Sequence, residues 1–126
     1  MHTARGTFDV TLKPLPAHCP ELGRMSIDKA FQGDLEATSL GEMLSAMGAV
    51  KGSAGYVAQE RVTGTLAGRR GSFVLQHNAT MTRGTPALQI IVVPDSGTEE
   101  LGGLSGTMHI IVEGKQHSYV LDYSFG

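Results

Sequence analysis

The sequence contains a single cysteine, no tryptophan and no apolar run of membrane-spanning length. Cys19 therefore has no partner for an internal disulfide, and its proline-flanked stretch "PLPAHCPELG" predicts a loop. The amino terminus has no charged segment followed by a long apolar one, so no signal peptide is predicted. These absences predict a soluble, cytoplasmic protein with no membrane partner.

Clusters of basic charge and of metal ligands are missing as well. The formal net charge is -2 and the largest basic cluster is the pair Arg69 and Arg70, so no nucleic-acid partner is predicted. The five histidines follow no metal-ligand spacing. The glycine-rich stretch "GTLAGRRG" lacks the lysine of a phosphate-binding loop. We therefore expect neither a metal nor a cofactor.

Glycine and alternating hydrophobicity are what the sequence does have. Seventeen of its 126 residues are glycine, a content that suits a turn-rich β architecture. Apolar and polar residues alternate with a period of two, which is the pattern of half-buried strands. Eight strands are predicted, over residues 7–13, 24–31, 35–48, 55–62, 72–82, 87–93, 104–112 and 117–125.

Two segments carry helical features. Residues 35–48 also place apolar residues at helical intervals, but Gly41 and the Thr38–Ser39 pair disfavour a helix there. The stretch "SGTEEL" at 96–101 predicts one short helical turn capped by Ser96 or Thr98. The chain as a whole is predicted to contain little or no helix.

The number of strands bears on how the sheet closes. Eight antiparallel strands in one domain of residues 1–126 favour a barrel, because a closed barrel has no exposed edge strands. Such a barrel is either filled by side chains or holds one small ligand. The predicted fold class is all-β, a single eight-stranded antiparallel β-barrel, with a two-sheet sandwich as the alternative.

Three stretches carry a resemblance to a known family: "RMSIDKAFQGDLEATSLGEMLSA", "GSAGYVAQERVTGTLAGRRGSFVLQHNATM" and "VVPDSGTEELGGLSGTM". They resemble a bacterial family called domain of unknown function 3224, and the similarity extends over nearly the whole chain. More distantly, "FQGDLEATSLG" and "RVTGTLAGRRGSFVLQ" are similar to segments of plant allene oxide cyclases and dirigent proteins. The resemblance implies an allene oxide cyclase-like barrel, a homo-oligomer with an axial ligand cavity and no cofactor. It implies no reaction, because the bacterial family has no assigned activity.

The plant resemblance also suggests two positions on the first strand. The stretch "FDVT" places Asp9 and Thr11 where allene oxide cyclases carry a glutamate and an asparagine. By this resemblance Asp9 is a candidate catalytic acid and Thr11 a candidate ligand-binding residue.

The strongest candidates from the residues themselves are Glu60 and His77, each on a mostly apolar strand face. Loss of hydration is expected to raise the pKa of the Glu60 carboxyl and to make it a general acid or base near neutral pH. A histidine so placed can shuttle protons. The two lie at similar distances from the turn at Gly68, and the strand register decides whether they touch. The alternatives are a Glu60 that points outward or pairs with Arg61 or Arg69 at the rim, and a core His77 bonded to a backbone carbonyl.

Other candidates depend on strand faces alone. Glu36 is a further candidate acid or base, although its strand pattern favours solvent. Tyr56 and Phe73 share the faces of Glu60 and His77 and would line a cavity. Tyr119 and Tyr123 share a face of the last strand, where phenols could orient a ligand oxygen.

Two functions fit these observations. One is a cofactor-independent cyclase, isomerase or lyase that acts on a small apolar substrate by acid and base chemistry in the barrel. The other is a non-catalytic carrier for a lipophilic ligand. A filled, purely structural barrel would need no ligand, and an interior cavity beside Glu60 and His77 would argue against it.

Overall fold

The computed structural model describes all 126 residues. Eight strands build it: β1 (His2–Pro14), β2 (Gly23–Gly33), β3 (Leu35–Met47), β4 (Ala54–Leu66), β5 (Arg69–Thr82), β6 (Thr85–Val92), β7 (Leu104–Glu113) and β8 (Gln116–Phe125). Each strand pairs antiparallel with the next, and β1 pairs with β8 to close a barrel. The predicted eight-stranded barrel is confirmed, and the sandwich alternative is wrong.

Several strands are longer than predicted, most clearly around the hairpin between β4 and β5. These strands were expected to end at residue 62 and to begin at residue 72, but the ladder continues until only Ala67 and Gly68 remain as the turn. Both turn residues have positive φ, 49° and 85°, which is the geometry of a tight two-residue hairpin. Such a turn matches the twist of the strands, so pairing extends up to it.

The helix-like spacing in residues 35–48 has a simple origin. The segment is strand β3, and two of the apolar residues behind the spacing, Leu40 and Leu44, lie on its outer face. They are 67% and 44% exposed. The apolar residues of this segment lie on both faces of one strand, some outward and some inward. Taken together, they are spaced like the apolar residues of a helix.

The predicted helical turn is present as a 3₁₀ turn, Glu99–Leu101, with Thr98 as the residue before it. Thr98 occupies the predicted cap position but makes no side-chain capping hydrogen bond. The hydroxyl groups of Ser96 and Thr98 accept hydrogen bonds from the backbone N–H groups of β5 instead. The turn brings Leu101 into the core. The structure has no helix with the length and apolar character needed to cross a membrane.

The two ends of the barrel differ. We call the end that carries the β4–β5 turn and residues 93–103 the base, and the opposite end the mouth. Apolar side chains fill the base, including Leu35, Val62, Leu66, Phe73, Leu101, Leu104 and Leu121. At the mouth, inward positions of the strands carry partly exposed apolar side chains, including Leu12, Met81, Leu88 and Val112.

One tyrosine fastens the β2–β3 connection at the base. The hydroxyl of Tyr119 donates to the carbonyl of Gln32 at 3.0 Å and accepts from the backbone N–H of Leu35 at 2.9 Å. Burial raises the pKa of the Tyr119 phenol. The side chain therefore stays neutral and serves as a structural brace.

Candidate functional site

Four polar side chains meet inside the barrel, between the filled base and the open mouth. They are Lys29, Ser39, Glu60 and His77, one each from β2, β3, β4 and β5, and all are buried. Glu60 is the centre of the group: its Oε2 atom lies 2.8 Å from Lys29 Nζ and 2.6 Å from His77 Nε2. Its Oε1 atom accepts from the Ser39 hydroxyl at 2.7 Å. We call these four residues the interior cluster.

The strand register explains why these residues meet. Lys29 and Ser39 are direct partners across β2 and β3. Glu60 lies opposite Gly41, and His77 lies opposite Ala58, so the contacts to Glu60 run diagonally between neighbouring pairs.

Gly41 allows β3 and β4 to approach closely at this point. A Cβ atom at position 41 would lie 2.1 Å from the carbonyl oxygen of Gln59 and 2.7 Å from the Cα atom of Glu60. A side chain there would push the two strands apart. The glycine thus lets Glu60 reach Ser39 on the neighbouring strand.

The charge state of Glu60 differs from the prediction. Burial raises the pKa of this carboxyl, but the hydrogen bond from His77, the charge of Lys29 and the hydrogen bonds from Lys29 and Ser39 together lower it to about 2. The expected raised pKa was wrong because these partners lie on strands that sequence reasoning did not bring together. Glu60 is therefore a permanent carboxylate near neutral pH, and it cannot act as a general acid there.

The two ring nitrogens of His77 have different surroundings. A carboxylate only accepts hydrogen bonds, so Nε2 of His77 carries the proton that it shares with Glu60. The other ring nitrogen, Nδ1, makes no hydrogen bond within the chain, and no buried polar side-chain atom lacks a partner. Nδ1 therefore reaches accessible space. In the neutral imidazole it is a free acceptor.

An apolar pocket of about 330 Å³ lies at the mouth, against the inner wall of β3 to β6. Its inward-facing lining includes Met43, Met47, Tyr56, Ala79, Met81 and Leu88. Tyr56 pairs with Ala79, and the next inward pair towards the base is Ala58 with His77. The interior cluster thus begins about 7 Å below the Tyr56–Ala79 pair.

Tyr56 stands between the pocket and the cluster. Burial and the negative charge of Glu60 raise the pKa of its phenol, so the group is a neutral O–H. A larger depression, about 560 Å³, lies on the outer wall and is lined chiefly by outward side chains of β2 to β5, such as Glu42, Gln59 and Gln76. His77 and Ala58 border this depression as well, whereas neither lines the mouth pocket. The depression lies on the opposite side of the sheet from the mouth pocket.

Three of the predicted site residues point away from the interior. Asp9 and Thr11 are exposed, on the face of β1 opposite to Phe8 and Val10. Glu36 is also exposed and accepts a hydrogen bond from the backbone N–H of Gly33 at 2.9 Å. None of the three joins the interior cluster.

The remaining predicted residues are distributed along the barrel axis. Tyr56 lines the mouth pocket. Phe73, Tyr119 and Tyr123 are buried in the core that fills the base. Their phenyl rings close the bottom of the barrel, whereas the open volume lies at the mouth.

Sequence reasoning missed two members of the cluster, Lys29 and Ser39. The signal was present in the alternation of the two strands. In "SIDKAF", Lys29 lies on the same inward face as Ile27 and Phe31. In β3, Ser39 lies on the same inward face as Leu35 and Ala37. A lysine at a core position needs a buried partner, and Glu60 was the available carboxylate.

The residues offer no obvious metal site, since no three side chains of the His, Cys, Asp and Glu types gather in one place. The interior cluster is joined by the hydrogen bonds to the Glu60 carboxylate, and the Lys29 ammonium also lies 4.9 Å from the centre of the Phe8 ring.

Comparison with known proteins identifies the family. The family described as "Protein of unknown function (DUF3224)" matches residues 4–123. The chain belongs to this family. Its fold is similar to the crystal structure of a DUF3224 protein of unknown function from Shewanella oneidensis MR-1, with 55% sequence identity and a TM-score of 0.95. The match covers 100% of this chain and 98% of that one. No curated protein matches the chain.

The resemblance to the bacterial family is thereby confirmed for this DUF3224 protein. The more distant resemblance to allene oxide cyclases and dirigent proteins stays a prediction.

Proposed function

We propose that this DUF3224 barrel binds a small, largely apolar molecule in its mouth and transfers a proton to or from it through His77. In this proposal the protein is a cofactor-independent isomerase, cyclase or lyase. The observation that carries the proposal is the position of a buried ionic cluster one inward residue pair below the apolar pocket at the mouth.

The size of the pocket limits the ligand. A volume of about 330 Å³ holds roughly ten non-hydrogen atoms at about 30 Å³ each. Methionines supply much of the wall, and their flexible side chains adapt to the outline of a ligand. The proposed ligand is thus a compact molecule of one or two rings or a short chain.

The interior cluster contributes little to stability that apolar residues could not supply. Buried ion pairs lose hydration, and replacing them by apolar side chains of similar volume is often neutral or stabilising. A filled barrel would therefore be served as well by apolar residues at positions 29, 39, 60 and 77. Perturbed ionisable groups next to a pocket are typical of functional sites.

Three of the four members of the cluster have a chemical role in this proposal. Glu60 holds the imidazole of His77 in one orientation and one tautomer, as the carboxylate does in catalytic triads. Nδ1 of His77 then takes a proton from the substrate and returns it. The ammonium of Lys29, 2.8 Å from Glu60, stabilises negative charge that develops nearby.

Binding is tested with naphthalene, a probe of ten carbon atoms, by chemical-shift changes in NMR spectra. Ala79→Phe fills the pocket and is expected to abolish the shifts. Asn78→Phe is the matched control, because it adds the same ring on the outer face of the same strand. Equal binding by both variants would place the probe outside the mouth.

Catalysis is tested by proton exchange. In deuterium oxide, 2-tetralone exchanges the hydrogens next to its carbonyl, and the protein is expected to accelerate this exchange above the buffer rate. His77→Gln is expected to lose the acceleration while it retains binding. Wild-type exchange equal to that of His77→Gln would rule out the proton-transfer role.

The second candidate function is a carrier for the same kind of ligand. The largely apolar lining of the pocket, with three methionines in its wall, favours it. Binding of 2-tetralone without accelerated exchange would identify the protein as a carrier.

A further inference from the structure

The barrel is joined between β6 and β7 over a much shorter length than between its other strands. Only two residue pairs form, Ile90 with Met108 and Ile91 with Thr107. Both strands nevertheless continue for five residues on the mouth side, over 85–89 in β6 and 109–113 in β7. Leu88 and Val112, which point inward on these segments, are 48% and 60% exposed. Two open sheet edges therefore lie at the mouth, and we call residues 109–113 the β7 edge.

The β7 edge has backbone groups that can pair with a further strand. Successive residues of an antiparallel strand direct their N–H and C=O groups alternately to the two neighbouring strands. Just before β7, the carbonyl of Gly103 accepts from the N–H of Gly126, just after β8. Odd-numbered residues of β7 therefore face β8, and even-numbered ones face the other side. Ile110 and Val112 thus present two N–H and two C=O groups on the open side.

The open edge of β6 is protected by a proline, whereas the β7 edge is not. Val93, just after β6, donates its N–H to the carbonyl of Val74 on β5, so even-numbered residues of β6 face β7. Pro86 is one of them and has no N–H to offer. Proline and lysine are common means of preventing edge pairing. The β7 edge, "HIIVE", contains neither, and Ile111 is 43% exposed on its outer face.

The β7 edge is complementary to itself when two copies run antiparallel. If the pairing is centred on Ile111, then Ile110 lies opposite Val112 of the second copy. Both of these residues face the open side, so they form the hydrogen-bonded pairs that an antiparallel ladder requires. The twofold axis repeats each contact. Four backbone hydrogen bonds would join the two chains.

The polar side chains at the two ends of the β7 edge match in the same register. His109 lies opposite Glu113 of the second copy, on the outer face, and an imidazole N–H can donate to a carboxylate. Within the chain the nearest carboxylate to His109 is that of Asp122, at 3.9 Å, which is too far for a hydrogen bond. His109 and Glu113 are both exposed. Parallel pairing in register would instead place Glu113 beside Glu113.

We propose that the β7 edge is a contact between two copies of this chain, which pair antiparallel about Ile111 and join their sheets. The match of His109 with Glu113 favours a second copy over other extended peptides. Such a contact buries less than about 1,200 Å², the range of weak interfaces, so the dimer is expected at chain concentrations of about 0.1 mM. The inference is independent of ligand binding in the mouth.

Sedimentation equilibrium at about 0.1 mM tests the dimer, and the wild-type chain is expected to show twice the mass of one chain. Ile111→Lys brings two ammonium groups together at the twofold axis and is expected to weaken association at least about tenfold. Val57→Lys is the matched control, because Val57 is 54% exposed on the outer face of β4. A monomeric or trimeric wild-type chain, or an Ile111→Lys variant that associates like Val57→Lys, would overturn the proposal.

Two complementary charge variants test the register. His109→Glu sets carboxylates opposite each other, and Glu113→Arg sets a guanidinium opposite an imidazole, so each variant alone is expected to be monomeric. In an equimolar mixture the new carboxylate meets the new guanidinium, and a heterodimer is expected. Folded variants, as judged by circular dichroism, that fail to associate when mixed would overturn the antiparallel register. Should either variant fail to fold, the comparison of Ile111→Lys with Val57→Lys decides the proposal.

Discussion

The Nε2 atom of His77 lies 2.6 Å from Oε2 of Glu60, although the two residues are not direct partners across β4 and β5. Leu75 is opposite Glu60, and Ala58 is opposite His77, so the contact is diagonal. The same oxygen also accepts from Lys29 on β2. A single carboxylate thereby links strands that enclose half of the barrel interior.

Removal of the Glu60 charge should be costly. Glu60→Gln leaves the buried ammonium of Lys29 without a counter-ion, and we expect a loss of about 3–5 kcal/mol in the free energy of unfolding. The double variant Lys29→Met with Glu60→Gln should lose less than the sum of the single variants. Urea denaturation measures all three, and strict additivity would show that the ion pair is not coupled.

Glu42→Gln is the matched control for that prediction. Glu42 forms an ion pair with Arg24 at 2.7 Å, but both side chains are substantially exposed. Exposed pairs contribute about 0–1 kcal/mol. The same chemical change at the surface should therefore leave the urea midpoint almost unchanged.

Stability should also depend on pH through Glu60. Its pKa in the folded chain is about 2, against an ordinary value of 4.5, so the folded state binds this proton less readily than the unfolded state. The stabilisation is present above about pH 4.5 and is lost as the pH falls towards 2, on the order of 3 kcal/mol in total. Urea midpoints measured from pH 6 to pH 2 should fall more steeply for the wild-type chain than for Glu60→Gln.

Gly41 should be intolerant of a side chain. In Gly41→Ala the new Cβ atom would clash with the backbone of β4 at Gln59, so we expect a loss of about 1–3 kcal/mol and a displaced Glu60. Gly55→Ala is the control, since the nearest atom to its Cβ lies at 3.6 Å. Thermal unfolding compares the two, and equal midpoints would contradict the close approach of β3 and β4.

The brace at the base predicts a difference between two tyrosines. Tyr119→Phe leaves a buried backbone N–H and a carbonyl without the hydroxyl that pairs with them, at a cost of about 1–3 kcal/mol. The hydroxyl of Tyr123 has no such partner, so Tyr123→Phe should change stability by less than about 1 kcal/mol. Calorimetry measures the stability of both variants. An equal loss of stability in the two would show that the hydrogen bonds of Tyr119 contribute nothing.

The sequence predicted the strands well because alternation is a local property. Glu60 and His77 occupy inward positions that the apolar residues of their own strands already indicate. The predicted ends of β4 and β5 were too far from the turn, because glycine and arginine suggested a connection longer than two residues. The strands in fact extend to Leu66 and from Arg69. Asp9 and Thr11 were chosen by resemblance, whereas the alternation of β1 itself placed Phe8 and Val10 inside.

By itself, the sequence determined an all-β chain of eight strands and the inward face of most of them, because the alternation of apolar and polar residues is a property of each strand alone. Only the tertiary structure decided that Lys29, Ser39, Glu60 and His77 meet, since this depends on register and closure among strands distant in sequence. It also decided the charge of Glu60. Burial alone would have raised the pKa of that carboxyl, and partners from three other strands reverse the shift.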